Sequence, residues 1–289
     1  MRKKFLTTTA LAASALLALS ACSPSESGGG DATNSGGEGG SGEKVRIGIK
    51  FDQPGLGFRE GSNAPTGFDV DVAKFVAGEL GYTEENIEWI QTPSANRENA
   101  LENGEVDMIF ATYSITDARK ERVGFAGPYF VAGQDLLVRA DDNEITGPEE
   151  LDGKNLCSVT GSTSAQKIKD EYATGVNLVE QGGYAECVTY LESGQVDAVT
   201  TDDIILAGLA ATSTNQGKFK VVGNTFTTER YGVGLPKDSE RCEDINEAIK
   251  EMKDSGEWKK ALESNTEGTG YTYDETLNSG EDAEFEPCA

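Results

Sequence analysis

The chain reads as an α/β protein of two lobes, on three observations. Runs that read as strands alternate with runs that read as helices between residues 45 and 255, the pattern of α/β layers with mainly parallel sheets. One αβ junction occurs twice: Leu101-Glu102-Asn103-Gly104-Glu105-Val106-Asp107-Met108-Ile109 returns as Leu191-Glu192-Ser193-Gly194-Gln195-Val196-Asp197-Ala198-Val199, identical at five of nine positions. In each copy a helix ends at glycine and a buried strand follows. Two ordinary junctions or a true duplication both give one αβ unit per half. Residues 43–289 are also more than one hydrophobic core ordinarily needs.

From the start, Arg2, Lys3 and Lys4 precede an apolar run from Phe5 to Leu19 and then Leu19-Ser20-Ala21-Cys22. This reads as a secretion signal over 1–21, because the run falls short of the roughly 20 residues needed to span a bilayer. Residues 23–42 hold eight Gly, five Ser and no large apolar side chain, which predicts a flexible tether with a reach of about 25 Å. The globular part is expected to begin near Glu43. Strands are expected at Val45–Ile49, Ile87–Ile90, Asp135–Arg139, Asn155–Thr160 and Lys220–Val222, besides those of the repeat. Helices are expected at Asp69–Leu80, Asn96–Asn103, Ser164–Tyr172, Tyr184–Ser193, Asp203–Thr212 and Cys242–Ser255. The acidic tail beyond Thr266 reads as mostly irregular, fastened through Cys288.

The segment from Gly67 to Leu80 joins a turn glycine, an Asp69 able to cap the first helical turn, and an apolar face of Val72, Phe75, Val76 and Leu80. It resembles the signature of the amino-acid receptors of bacterial ABC importers, bacterial solute-binding protein family 3, closest in pattern to glutamate- and aspartate-binding proteins. The likeness extends over nearly the whole chain after residue 43, including the Ile249–Asp254 helix, Gly256 and Trp258. It implies a type II periplasmic-binding-protein-like fold, with lobe 1 over 43–138 plus 229–289 and lobe 2 over 139–228. The hinge crossings would lie near Val138–Ala140 and Thr225–Thr228. The residues before Cys22 resemble a lipobox, which makes Cys22 a lipidated first residue; one acyl chain anchors only marginally, so the several chains of such lipoproteins matter. The other four cysteines then sit in an oxidising compartment, where three pairings are open. Cys157–Cys187 and Cys242–Cys288 are favoured, the first pair in one expected lobe and the second flanking the C-terminal region.

Ligands of open α/β sheets gather at the carboxyl ends of strands. Ile115-Thr116-x-x-Arg119 followed by Phe125-x-x-Pro128-Tyr129 is similar to the family's binding segment. That similarity implies that Arg119 grips the ligand α-carboxylate as a planar fork, with Thr112 and Ser114 adding backbone and hydroxyl groups. It implies too that Thr163, in a loop suited to receive an anion at a helix start, contributes from lobe 2. Asp202 would pair with the α-ammonium, although it could instead cap the following helix and exchange roles with Asp203. By the same resemblance specificity falls to Lys50, at a position that faces the side-chain pocket in the family, and to Ser94 and Arg97, in a segment similar to the one where acidic-amino-acid binders place an arginine. Lys50, Arg97 and Arg119 against Asp202 leave about +2 for a ligand of net −1, which favours glutamate or aspartate over glutamine and the basic amino acids; the likeness to glutamate receptors implies glutamate of the two.

Fifty acidic residues against twenty-five basic ones give a net charge of −25, and loss of residues 1–21 makes it −28. Nucleic acid is therefore excluded as a natural partner. No histidine is present, which removes the usual proton shuttle and the commonest metal ligand; no metal, cofactor or catalytic residue is expected. The resemblance implies a monomeric, extracytoplasmic, lipid-anchored receptor delivering glutamate to an ABC permease. The alternatives are a receptor for glutamine or another amino acid, a sensor subunit of a membrane kinase, and a dehydratase-like enzyme on the same scaffold.

Overall fold

The computed structural model describes residues 44–171 and 175–288. The expected secretion signal, Cys22 and the tether lie outside the described residues. The first lobe opens with β1 (Val45–Ile49), a small hairpin of β2 (Asp52–Gln53) and β3 (Gly57–Phe58), α1 (Phe68–Glu79) and β4 (Ile87–Gln91). It continues through α2 (Arg97–Glu102), β5 (Met108–Phe110), α3 (Asp117–Lys120) and β6 (Gly124–Ala132). The second lobe holds β7 (Gln134–Arg139), β8 (Asn155–Val159), α4 (Ser164–Glu171), β9 (Asn177–Gln181), α5 (Tyr184–Glu192), β10 (Ala198–Asp202), α6 (Asp203–Ala211) and β11 (Phe219–Val221). The chain then returns with β12 (Glu229–Leu235), α7 (Cys242–Asp254), α8 (Glu257–Thr266) and α9 (Glu275–Ser279).

Two five-stranded sheets result, in the orders β4-β1-β5-β12-β6 and β11-β7-β10-β8-β9. In each, four strands run one way and one is reversed, β12 in the first and β7 in the second. The reversed strand is the one that enters from the other lobe, since a chain arriving at the cleft must run away from it. The expected crossing at Val138–Ala140 is corrected by this topology: Val138 lies inside β7, so the first passage falls at Gly133, and the lobe 1 boundary moves with it. The return passage covers residues 222–228, between β11 and β12.

The repeat is a structural one. Asp107 accepts from the Arg46 amide at 2.8 Å and Asp197 from the Asn155 amide at 2.7 Å. The amides of the two aspartates return 2.8 Å bonds to the Arg46 and Asn155 carbonyls. Gly104 and Gly194 close their helices at φ 64° and 75°, where glycine bears no Cβ penalty. The strand that follows the first copy is buried on both faces: Met108 and Phe110 join one hydrophobic cluster, Ile109 and Ala111 another. Each junction thus delivers the end of a central strand to the cleft.

Several segments differ from the sequence reading. Strands β2, β3, β6, β9 and β12 were not expected, nor were helices α3 and α8. Asp69 does not cap α1, whose N-cap is Gly67 without a side-chain bond; its carboxylate instead crosses to the Thr112 amide at 3.0 Å and the Tyr129 hydroxyl at 2.9 Å. The tail is irregular apart from α9 and one short turn, but it is tied down at many points. Cys242–Cys288 is formed, as is Cys157–Cys187, with Cα separations of 5.7 and 5.5 Å. Asn278 pairs with both the amide and carbonyl of Val131 at 2.8 Å, and the Glu286 amide donates to the Gly127 carbonyl at 2.7 Å.

Candidate functional site

The strand ends of the two sheets converge. Lys50 follows β1, Ser94 lies three residues after β4, Thr112 and Ser114 follow β5, Thr163 follows β8, and Asp202 ends β10. Ser94, Arg97, Thr112, Ser114, Arg119, Thr163 and Asp202 line one cavity between the lobes, with Tyr184 and Thr201. All of these expected residues are buried except Thr163, which is half-buried. The cavity is only about 20 Å³, room for about one water-sized sphere. A larger cavity of about 540 Å³, bordered by Asp135, Asp203, Phe219 and Tyr271, lies away from this convergence and contains no arginine.

Two guanidiniums share the site. Arg119 donates to the Ser114 carbonyl at 2.7 Å and to the Gly161 carbonyl at 3.1 Å, and its Nε stands 3.2 Å from Glu98 Oε1. Arg97 donates to the carbonyls of Ala111 at 3.1 Å, Thr112 at 3.3 Å and Gly161 at 3.4 Å. Both lie over the ring of Tyr113, 4.2 Å from its centroid for Arg97 and 4.9 Å for Arg119, so the aromatic face supports two like charges. Burial and the neighbouring Arg119 pull Arg97 down to about 10. Gly161, from the second lobe, thus receives an arginine donor from each of two elements of the first.

Lys50 stands one step behind the cavity. Its Nζ donates to Ser94 Oγ at 2.6 Å, and its other neighbours, Phe51, Gln91 and Gly183, border a separate opening. Burial first, then Arg97, pushes its pKa down to about 7. The three full positive charges counted from sequence are therefore not all present near neutral pH. Asp69, beneath Thr112, is raised to about 6 by burial despite the hydrogen bonds from Tyr129 and Thr112.

Asp202 and Asp203 separate cleanly. The Asp203 carboxylate accepts from the Ile204 amide at 2.7 Å and the Gly133 amide at 3.4 Å, facing the hinge. Asp202 makes no side-chain cap bond to α6. Its Oδ2 accepts from the Tyr231 hydroxyl at 2.5 Å, and its buried Oδ1 has no partner among the described residues. Burial, reinforced by Glu229, holds the Asp202 carboxyl well above the ordinary carboxylate range.

Sequence reasoning gave no role to Tyr113, Glu98, Tyr184 or Asp52, and it read the loop of Gly161 for its amides and not for the carbonyl that both arginines address. Asp52, on β2 of the first lobe, accepts from the Tyr184 amide at the start of α5 in the second at 3.1 Å. An acidic residue just past a first strand was the available signal, but its partner lies 132 residues away. Among the described residues no group of His, Cys, Asp and Glu could hold a metal ion, and no helix is long and apolar enough to cross a membrane.

Two α/β lobes that meet across a pocket lined by paired arginines and one carboxylate are the architecture of a solute-binding protein. Residues 45–266 match the model of the bacterial extracellular solute-binding proteins, family 3, and the chain belongs to that family. It is 46% identical over 278 residues, 91% of this chain and 92% of the relative, to a glutamate-binding protein of Corynebacterium efficiens. It is 37% identical to an ABC transporter glutamine-binding protein of Bacillus subtilis, over 75% of this chain and 78% of that one. Among solved structures it is similar to an ancestral arginine-binding protein bound to glutamine, with a TM-score of 0.70 and 36% identity, covering 76% of this chain and 96% of the other. The resemblance read from Gly67–Leu80 is established by these matches. The chain is an amino-acid-binding protein of type II fold, and its relatives are binders and not enzymes.

Proposed function

We propose that the protein is a lipid-anchored extracytoplasmic receptor that binds glutamate between its lobes and delivers it to an ABC importer. The observation that carries the reading is the polarity of one cavity: Arg97 and Arg119 line it from the first lobe, both donating to the Gly161 carbonyl, and Asp202, whose buried Oδ1 has no partner among the described residues, lines it from the second. A glutamate taken up as the lobes part would replace the Gly161 carbonyl with its own carboxylates, the α-carboxylate on Arg119 and the side-chain carboxylate on Arg97, while its ammonium meets Asp202. An anion beside Lys50 also favours the lysine's charged form, which restores the positive charge that burial withdraws. The name of the Corynebacterium efficiens relative supports the choice of ligand. Aspartate shares its charges. Glutamine is the second reading, favoured by the Bacillus subtilis relative and the glutamine-bound structure.

Calorimetric titration of the ligand-stripped domain with glutamate, aspartate, glutamine and arginine tests this. Glutamate binding at least about a hundredfold tighter than glutamine is expected if Arg97 reads a carboxylate. A preference for glutamine would keep the receptor and remove Arg97 and Lys50 from that role. Co-purification with permease subunits, as against a membrane kinase, tests delivery, and lipid labelling that a Cys22→Ser change abolishes tests the anchor.

A further inference from the structure

Tyr231 stands on β12 in the first sheet and Asp202 ends β10 in the second, so their 2.5 Å hydrogen bond joins the lobes. The Tyr231 ring is fully buried against Tyr129 and Phe130, at centroid separations of 6.1 and 5.7 Å, which holds its hydroxyl in place. Two residues earlier on the strand, and so on the same face, Glu229 receives Lys167 Nζ of α4 at 2.7 Å, a second bond between the lobes. One Asp202 oxygen is thereby held by a fixed donor, while the other is buried without a partner among the described residues, on a residue that lines the arginine-lined cavity.

We infer that Tyr231 is a positioning residue for ligand binding: reaching from the first lobe, its hydroxyl fixes Oδ2 of Asp202 so that Oδ1 is presented to the ammonium group of the ligand. This rests on the reading that Asp202 takes that group. The surroundings make Asp202 sensitive to this donor. Burial, Glu229 and Asp203 favour its protonated form, whereas the Tyr231 hydroxyl and Lys167 favour the ionised one. Tyr184 of α5 and Tyr271 of the tail lie close enough to feel its charge, and Arg97 and Arg119 border the same cavity. Only the ionised form pairs with an ammonium. Loss of the hydroxyl therefore removes the orientation and also raises the pH at which Asp202 becomes competent.

The test is titration calorimetry with glutamate, and separately with glutamine, between about pH 5.5 and pH 9, comparing the unaltered protein with Tyr231→Phe and Asp202→Asn. Tyr231→Phe is expected to weaken binding about ten- to a hundredfold near neutral pH, the value of one hydrogen bond to a charged acceptor. It should also move the acid limb of the affinity profile to higher pH. No loss, or an equal loss at every pH, overturns the inference. If Asp202→Asn abolishes binding while Tyr231→Phe is silent, only the role of Tyr231 falls; if Asp202→Asn binds normally, the assignment of Asp202 falls with it. Should Tyr231→Phe fail to fold, carbon-13 resonances of the Asp202 carboxyl and the Tyr231 ζ-carbon in the unaltered protein decide the matter. Titration of both at one pH supports the coupling, and independent titration overturns it.

Discussion

Gly161 of the second lobe approaches Ala95 of the first so closely that a Cβ built on it would stand 2.6 Å from both the Cα and the amide nitrogen of Ala95. Its φ of +81° adds a second requirement for glycine. The contact surrounds the carbonyl that both arginines address, so closure and recognition meet at one residue. Gly161→Ala is expected to fold but to hold the lobes apart. Ligand affinity should fall at least about tenfold, and the ligand-induced compaction seen by small-angle scattering should shrink. Unchanged compaction would show that the contact yields without cost.

Asp52 contributes to closure from the other side of the cleft, capping the first turn of α5 through the Tyr184 amide. Asp52→Ala should leave the unliganded melting temperature nearly unchanged and reduce ligand affinity by about three- to tenfold. Equal loss of unliganded stability would mean that the bond belongs to the fold and not to closure.

The two arginines are predicted to separate by ligand. Arg119→Ala should weaken glutamate and glutamine alike, by about a hundredfold or more, because both carry the α-carboxylate. Arg97→Ala should weaken glutamate far more than glutamine. Equal losses for both ligands in Arg97→Ala would remove it as the side-chain reader.

Lys50 carries a pH signature in stability. Its folded pKa of about 7 lies below that of an exposed lysine, so the unfolded chain binds the extra proton, and the protein gains stability from this group as pH rises from 7 toward 10. Lys50→Met should therefore raise the melting temperature most at or below pH 7, the gain fading toward pH 10. A gain that does not change with pH would place its cause in packing and not in charge.

The elements legible in the sequence were those with strong local signals. The repeated Gly104 and Gly194 junctions marked the central strands, and through them the strand ends that carry Thr112 and Asp202. Strands β6 and β12 were hidden because glycine and proline interrupt them. Pro128 is tolerated where β6 forms the margin of its sheet, and a Cβ at Gly232 or Gly234 would fall within 2.8 Å of Ile115 or Tyr113. These glycines serve packing partners more than a hundred residues distant, which no local pattern reports. The same distance hid Tyr231, since its role exists only once β12 has returned from the second lobe. Arg97 was found by motif, but its dependence on the Tyr113 face was not, because stacking leaves no periodicity.

The bonds that fasten the tail have a consequence for solubility. β6 is the outermost strand of its sheet, and along it the amide and carbonyl of Gly127, the carbonyl of Tyr129 and the amide and carbonyl of Val131 are taken by Asn246, the Glu286 amide, Trp258 and Asn278. An unpaired strand of this kind is a template for joining a second chain. The tail and the two helices before it act as a sheath over that template. A chain cut short after Thr266, where the family match ends, would bare part of it and is expected to self-associate through β-strand addition, even with its ligand pocket intact.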